Sequence, residues 1–410
     1  MDQHLILLQI AGILLAARFF AELANRFNMP AIIGELLAGI ILGPSLFGWI
    51  EPNEVLKLLA ELGIILLLFE VGLETQLDKL LNSGSKAAVV AVSGFILPFV
   101  LGFSSSYWLF DLSLNVSLFI GGTLTATSIG ITVRVLSDLN KHNSPEGQIV
   151  LGAAVIDDLL GIFLLAVLYE FSTSGEVDFS NIASIIFYVS LFFVVAPIAA
   201  KLITPIIKHL QQKTDIPGLI PATLVAMVLI FAYLAHLSGA PDLLGGFVAG
   251  IALSRRFFLP LGTFIKADPE FTRNVHQQMK PIIQLFTPIF FVMVGLSLDL
   301  TAVDWGSLFI WIFSLTTLAI AIFGKLVGAL LIDEKFGTRL AVGMSMVPRG
   351  EVGLIFAEIG RTSGVLDDTV YAGIILVIAY TTIASPIWIK HYYRVAEKKF
   401  PHLHQQTHND

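Results

Sequence analysis

The sequence predicts an all-α polytopic membrane protein, and three observations lead to that prediction. Apolar residues make up 56% of the 410-residue chain and charged residues only 13%, and the mean hydropathy is +0.83. A soluble domain carries roughly 25% charged residues and about 45–50% apolar ones. In addition, the apolar residues fall into runs long enough to cross a hydrocarbon core of ~30 Å.

This composition excludes several classes of protein. A soluble enzyme, a nucleic-acid-binding protein and a disordered protein would each need more charge, and the net charge of −7 argues against nucleic acid as a partner. The chain has no cysteine, which removes disulfides, thiolate metal sites and cysteine nucleophiles. No glycine-rich phosphate loop or Ser/His/Asp arrangement is present at membrane depth, so we expect neither an enzyme nor a bound cofactor.

Between polar breaks, the chain divides into about thirteen apolar runs that can serve as membrane spans. The second span, Pro30 to Leu46, and the ninth, Ala240 to Leu253, are short, so either could instead be re-entrant. In chain order the spans begin near Leu5, Pro30, Leu56, Ala87, Asn115, Gln148, Ile182, Gly218, Gly239, Gln277, Trp305, Gly337 and Asp367.

Loop charges give these spans an orientation. Alternate loops carry almost all of the Lys and Arg residues, and the loops between them are nearly free of both, with Lys57 and Arg361 as exceptions. Because positive loops remain in the cytoplasm, the sequence predicts an external N-terminus and a cytoplasmic C-terminus. The basic loops hold Arg26, Lys79 and Lys86, Lys141, Lys208 and Lys213, the stretch from Arg255 to Lys280, Lys335 and Arg339, and the tail from Lys390 to Lys399.

Two pairs of segments repeat within the chain. Pro30 to Leu42 aligns without gaps with Pro241 to Leu253, which lies 211 residues later, and Val71 to Leu73 resembles Val294 to Leu296, 223 residues later. These offsets relate span two to span nine and span three to span ten. Because that shift is an odd number of crossings, equivalent spans cross in opposite senses, which indicates an inverted repeat of six plus six helices joined by the seventh span. Secondary transporters often have this arrangement, with their site near the bilayer midplane.

Ionisable residues inside spans are functional candidates because each costs at least ~2.5–3.5 kcal/mol to insert. Asp157 and Asp158 lie in span six, about nine residues or ~14 Å from its cytoplasmic start. Adjacent helix positions point about 100° apart, so one carboxylate can face a fixed cation while the other faces a cavity. Such a group can bind a proton or a small cation in competition. Lys325, in span eleven at the same depth, is the expected counter-ion, although a long lysine could also extend to the interface.

Spans five and twelve carry polar interruptions at matching depths. Span five contains glycines and hydroxyl residues that include Thr127 and Ser128, which indicates a broken helix lining a cavity. Its repeat partner in span twelve contains Pro348, Arg349 and Glu351. We predict crossed half-helices whose dipole ends are neutralised by a structural ion pair between Arg349 and Glu351. The sequence assigns no role to Glu35 in span two.

Four segments together resemble the second branch of the monovalent cation:proton antiporters, the group of sodium/proton exchangers and potassium-efflux relatives. They are Leu67 to Glu74, Ala126 to Gly130, Ala154 to Asp158 and Val347 to Gly353. The resemblance covers essentially the whole membrane region. It implies a homodimer of thirteen-helix subunits, in which a lysine pairs with the first aspartate and the second carries the ion; by position these are Lys325, Asp157 and Asp158.

The resemblance also implies a division of the chain into a dimerisation panel and a moving core bundle. Potassium-efflux relatives carry a nucleotide-binding domain after the last span, whereas this sequence ends about sixteen residues after Arg394, so we expect a free-standing exchanger. The panel would comprise 1–81 and 213–303, the core bundle 82–172 and 304–394, the connector helix 173–212 and the cytoplasmic tail 395–410.

The leading hypothesis is therefore a sodium/proton antiporter in the cell membrane, with Na⁺ at Asp158 and Asp157 beside Thr127 and Ser128. Lithium is a possible further substrate, and a K⁺/H⁺ antiporter is the alternative, because oxygen ligands suit either ion. A channel would lack obligatory coupling between the ion and the proton. An intramembrane aspartyl protease would need its two acids on separate helices, which the adjacent pair does not provide.

Overall fold

The structure is a computed structural model that describes residues 3–75, 80, 82–174, 183–184, 186–196, 198–199, 218–253, 269–301 and 303–399. Most of the predicted connector and most of the tail lie outside these ranges. Every regular element in the described residues is a helix. The α-helices are α1 (Gln3–Arg26), α2 (Ala31–Leu42), α3 (Glu54–Glu74), α4 (Gly84–Ser104), α5 (Leu114–Thr125), α6 (Ile129–Asp138), α7 (Pro145–Ser174), α8 (Leu219–Leu237), α9 (Asp242–Leu253), α10 (Pro269–Ser297), α11 (Leu308–Leu330), α12 (Phe336–Ser345), α13 (Glu351–Thr362) and α14 (Asp368–Lys399).

The helices correspond to the predicted spans. Eight stretches of described helix are long and apolar enough to cross a membrane, and a shorter apolar helix, Ile186–Ala196, lies within the predicted connector. Span five is formed by α5 and α6, and span twelve by α12 and α13. The two spans that looked short in the sequence, α2 and α9, have 12 residues each, or ~18 Å of helix. The prediction of an all-α polytopic membrane protein is therefore confirmed.

Several helices begin at a polar residue that caps the first turn. The side-chain oxygens of Asn53, Ser113, Ser128 and Ser307 each accept a hydrogen bond from the backbone N–H three residues later. These bonds satisfy donors that have no partner inside the helix. The apolar runs therefore become helices with defined starting points, and this matters most at Ser128, where the cap restarts an interrupted span.

The described residues form two compact units. The first takes its residues from Met1–Pro52, Ser83–Asp178 and Phe291–Asp410, and the second from Asn53–Asn82 and Phe179–Phe290. In the first unit, Phe313 and Phe356 belong to a buried cluster that also includes residues of α5 and α14. In the second unit, α3 packs closely on α9, and α8 packs on α9.

The predicted repeat is visible in close backbone contacts inside each unit. A Cβ atom placed on Gly34 would collide with the carbonyl oxygen of Phe20, and one placed on Gly245 would collide with that of Phe231. Both members of the second contact lie 211 residues after those of the first. A second pair of contacts follows the same repeat. Gly39 abuts Gly295 in the first unit, and its repeat partner Gly250 abuts Gly72 in the second. The repeat inferred from the sequence is therefore confirmed as repeated packing.

Three loops of the first unit carry exposed tryptophan side chains. Trp49 follows α2, Trp108 follows α4 and Trp305 precedes α11, and each is more than half exposed. The loops that carry them are among those with few Lys and Arg residues. Aromatic residues of this kind concentrate at the level of the lipid head groups, so each of these loops fits a position at a membrane surface.

Candidate functional site

Two interrupted helices meet in the first unit at the positions that the sequence predicted. Helix α5 ends at Thr125 and α6 begins at Ile129, while α12 ends at Ser345 and α13 begins at Glu351. The residues that link α5 to α6 form hydrogen bonds with the residues that link α12 to α13. The backbone N–H of Ser128 donates to the Pro348 carbonyl at 2.8 Å, and the Thr127 hydroxyl donates to the Met346 carbonyl at 3.1 Å. The prediction of crossed, broken helices is therefore confirmed.

The sequence explains where each helix stops. Pro348 has no N–H and cannot continue the helix that precedes it. Ala126 and Ser128 adopt extended backbone angles, and the Ser128 side chain then caps α6. Because the residues of both breaks are buried, their polar groups must find partners within the protein, and each break supplies partners for the other.

Arg349 lies at the centre of this crossing and is fully buried. Its Nη1 donates to the Val347 carbonyl at 2.9 Å, and its Nη2 donates to the Leu124 carbonyl near the end of α5. Its own carbonyl accepts a hydrogen bond from Thr382 of α14. A guanidinium at the carbonyl end of a helix neutralises the negative end of the dipole. The side chain of Glu351 lies outside the described part of the structure, so its pairing with Arg349 stays a prediction.

Asp157 of α7 forms an ion pair with Lys325 of α11. The Lys325 Nζ lies 3.0 Å from Oδ2 and 3.2 Å from Oδ1, and neither side chain has any exposed surface. The lysine therefore does not extend to the interface. Gly94 of α4 makes room for it, because a Cβ at that position would lie 3.3 Å from the lysine Cδ.

Asp158 occupies the next position on α7 and is 3% exposed. It acts electrostatically on Lys325, and Asp157 acts on both Lys325 and Arg349. Helix α7 packs against α4, α5, α6, α12 and α13. The helix that carries both acids therefore contacts both halves of the crossing.

Most of the predicted site residues thus fall into two linked groups. Asp157, Asp158 and Lys325 form one group, and Thr127, Ser128 and Arg349 form the other, with α7 packed against both. Sequence reasoning missed the positions of Gly94 and Thr382, because a small residue beside a lysine and a hydroxyl beside a carbonyl become recognisable only once the helices are packed. The resulting site combines two acids, one amine and hydroxyl groups that are all buried, which suits competition between a proton and a small cation.

Comparison with known proteins agrees with this geometry. Residues 11–395 match the family model described as sodium/hydrogen exchanger, transmembrane. The high-affinity Na⁺/H⁺ antiporter NhaS3 of Synechocystis sp. is 33% identical, over 96% of this chain and 91% of its own. The Na⁺/H⁺-K⁺ antiporter GerN of Bacillus cereus is also 33% identical, over 95% of this chain and 97% of its own.

A solved structure shows the same fold. The sodium proton antiporter MjNhaP1 of Methanocaldococcus jannaschii superposes with a TM-score of 0.71 at 18% identity, covering 97% of this chain and 99% of the other. The family model spans nearly the whole chain, including both groups of site residues. The chain therefore belongs to the sodium/hydrogen exchanger family of membrane proteins.

Proposed function

We propose that this protein is a secondary active antiporter that exchanges Na⁺ for H⁺ by alternating access. The observation that carries the proposal is the buried ion pair between Asp157 and Lys325, next to Asp158, on a helix packed against the crossing of two broken spans. A permanent charge in such a place is expensive. A carboxylate that exchanges a proton for a cation is neutralised by one or the other, so it does not remain an uncompensated charge during the transport cycle.

Asp158 is the ion carrier in this proposal. In one state it holds Na⁺ together with Asp157 and the oxygen atoms of Thr127 and Ser128. When Na⁺ binds, Asp158 gives up its proton, and the cation competes with Lys325 for the ionised carboxylate of Asp157. A lysine displaced from its carboxylate into apolar surroundings then favours its neutral form and releases a further proton. When Na⁺ leaves, protons return to the same groups.

Potassium is the alternative substrate. The name of GerN includes both Na⁺ and K⁺, whereas NhaS3 and the antiporter of Enterococcus hirae are named for Na⁺ and H⁺ alone. No group of three His, Asp or Glu side chains suited to hold a metal ion occurs among the described residues. The ligands proposed here, two acids and neutral hydroxyl oxygens, suit a monovalent cation.

The movement that alternates access would occur between the core bundle, 82–172 and 304–394, and the dimerisation panel, 1–81 and 213–303. The buried crossing and both acids belong to the core in this division, so the loaded site would move as a unit. We further propose that two copies associate as a homodimer in the cell membrane, with the N-terminus outside and the C-terminus in the cytoplasm, as the loop charges indicate.

Transport of protons in vesicles tests the function. Proteoliposomes that hold the protein and a pH-sensitive dye should show proton movement on addition of Na⁺ or Li⁺, and a weaker response to K⁺. Asp158→Asn should abolish this response. Asp111→Asn is the matched control, because Asp111 is exposed and has a φ of 52°, a conformation that asparagine adopts readily. Full Na⁺-dependent proton flux in Asp158→Asn would contradict the proposal, and a response to K⁺ alone would favour the alternative substrate.

A further inference from the structure

Helix α13 continues from the crossing in the direction opposite to α6. The offset of 223 residues pairs α6 with α13, and inverted repeats cross the membrane in opposite senses. Helix α6 ends at a cavity of about 470 Å³ on the predicted cytoplasmic side, and Glu35, Arg134 and Asp138 are among the residues that line it. Its repeat partner α13 therefore ends on the predicted external side, where alternating access needs a second route to the crossing.

The exposed face of α13 is polar. Ile355, Glu358 and Thr362 are exposed and share one face, because three or four residues separate each from the next. Glu358 lies four residues, or ~6 Å, inside the end of α13. A carboxylate that met lipid at this depth would be costly, so this face borders water. Helix α11 differs, because its exposed positions form an apolar stripe that suits contact with lipid: Leu308, Ile312, Leu315 and Phe323.

Glu358 is held in place by Tyr371 of α14. The Tyr371 hydroxyl donates to Glu358 Oε2 at 3.2 Å, and the tyrosine itself is buried in the core cluster of the first unit. The turn between α13 and α14 folds back on Gly360, whose carbonyl accepts hydrogen bonds from the N–H groups of Val365 and Leu366 at 2.9 Å each. A carboxylate on an exposed face is thus fixed by a buried phenol at a hydrogen-bonded corner.

The charge of Glu358 is not cancelled by an ion pair in the described part of the chain. The nearby Arg361 lies over the Tyr371 ring, 4.7 Å from its centroid, and the Arg361 Nε lies 3.8 Å from Asp368 Oδ1. The charged residues between positions 355 and 369 are three acids and one arginine, a net charge of −2. An accumulation of one sign of charge raises the local concentration of the opposite ion, so this corner attracts cations.

We propose that Glu358 recruits the transported cation at the external mouth of the route to Asp158, and that Tyr371 positions the Glu358 carboxylate for this role. The face of α13 that carries Glu358 leads to the crossing, ~10 Å away along the helix axis. Na⁺ reaches this face at a higher concentration than in bulk solution, because the corner is negatively charged. This role in transport rests on the proposed function, whereas the access of water to Glu358 can be measured without it.

Glu358→Gln removes the charge and keeps the hydrogen bond, because the amide oxygen still accepts from Tyr371. Na⁺-dependent proton flux is measured at low ionic strength in right-side-out vesicles, which present the external face to added Na⁺. The KM for Na⁺ should rise about three- to tenfold with little change in the maximal rate. Choline chloride should reduce the difference, because salt screens exposed charges. In inside-out vesicles the two proteins should have the same KM, and Tyr371→Phe, which keeps the charge, should raise the external KM less.

The absence of native cysteine allows the access of water to be measured separately. Glu358→Cys should react with a charged, membrane-impermeant thiol reagent added outside intact cells. Ile312→Cys is the matched control, because Ile312 is half exposed on the apolar stripe of α11 and lies four residues from the external end of that helix. A thiol in contact with lipid stays protonated and out of reach of the reagent, so the control should react at least about tenfold more slowly.

Several results would overturn the proposal. They are equal reaction rates of the two cysteine variants, an unchanged external KM in Glu358→Gln, and a KM that rises equally in inside-out vesicles. Failure of Glu358→Gln to fold would also overturn it, because Glu358 would then be a structural residue. The proposed function fails in a different way, by a lack of Na⁺-dependent proton flux in the wild-type protein, and the reaction rates of the cysteine variants do not depend on that flux.

Discussion

At the scale of single residues, the structure identifies the partners of two buried cations, Lys325 and Arg349. Lys325 contacts Asp157, and Arg349 donates to backbone carbonyls at the crossing. The position of Lys325 in its span predicted its depth but not which of the two adjacent acids it pairs with, because that depends on how α7 is rotated relative to α11. The pairing with Asp157 was predicted only by the family resemblance. The sequence assigned no role to Glu35, and the cavity that this residue lines forms only where four helices meet in the folded chain.

Lys325 should determine whether transport carries net charge. If it releases a proton when Na⁺ binds, the exchange moves more protons than sodium ions. Lys325→Gln removes that proton, so exchange should continue without sensitivity to the membrane potential. The measurement is proton flux in vesicles with the potential either clamped or imposed. An unchanged response to potential in the variant would show that Lys325 is not the source of the net charge.

The ion pair between Asp157 and Lys325 should also affect the stability of the folded protein. Removal of one partner from a buried ion pair leaves an uncompensated charge and costs about 3–5 kcal/mol. Lys325→Gln alone should therefore lower the melting temperature in detergent more than the double variant that adds Asp157→Asn, in which two neutral amides can bond to each other. If the two substitutions lowered stability additively, the ion pair would not be coupled in the way that the geometry requires.

A separate prediction concerns the contribution of Arg349 to stability. Its side chain bonds to two carbonyls from two different segments, Leu124 and Val347, and a lysine has no planar fork with which to do the same. Arg349→Lys should therefore destabilise the protein nearly as much as Arg349→Gln, by about 2–3 kcal/mol for buried carbonyls left without a partner. Thermal unfolding checks this, and wild-type stability in the lysine variant would contradict the structural role.

At the scale of helices, close packing depends on glycines at repeated positions. Gly39 meets the backbone of α10, and Gly250 meets that of α3. The sequence predicted both through the alignment at a constant offset. It could not predict what each glycine contacts, because small-residue spacing shows only that some helix approaches closely.

Gly250→Ala should disrupt the folded protein for this reason. The added Cβ would collide with the Phe69 carbonyl oxygen, which is backbone and cannot move aside as a flexible side chain can. Gly84→Ala is the matched control, because a Cβ there meets nothing within 4 Å and alanine favours a helix more than glycine. Size-exclusion profiles and melting temperatures in detergent should show a loss for Gly250→Ala and no loss for Gly84→Ala. Equal stability of the two variants would refute the packing explanation.

At the scale of the whole molecule, the low fraction of charged residues predicted the membrane class, and the apolar runs predicted spans to which the described helices correspond. The interruption in span five was predictable because glycine and hydroxyl residues in the middle of a membrane span indicate a broken helix, which is tolerated only inside the protein or along a cavity. The hydrogen bonds between span five and span twelve could not be predicted from the sequence, since they join positions more than 200 residues apart. The same applies to the cavity around Glu35.

The central claim is that Na⁺ and protons compete for Asp158 and its neighbours. The most direct test adds Na⁺ to purified protein in weakly buffered detergent solution and records the protons released, with Asp158→Asn and Asp111→Asn measured alongside. Wild type and Asp111→Asn should release protons in proportion to the Na⁺ bound, and Asp158→Asn should release few or none. Sodium binding without proton release in wild type, or undiminished release in Asp158→Asn, would contradict the claim.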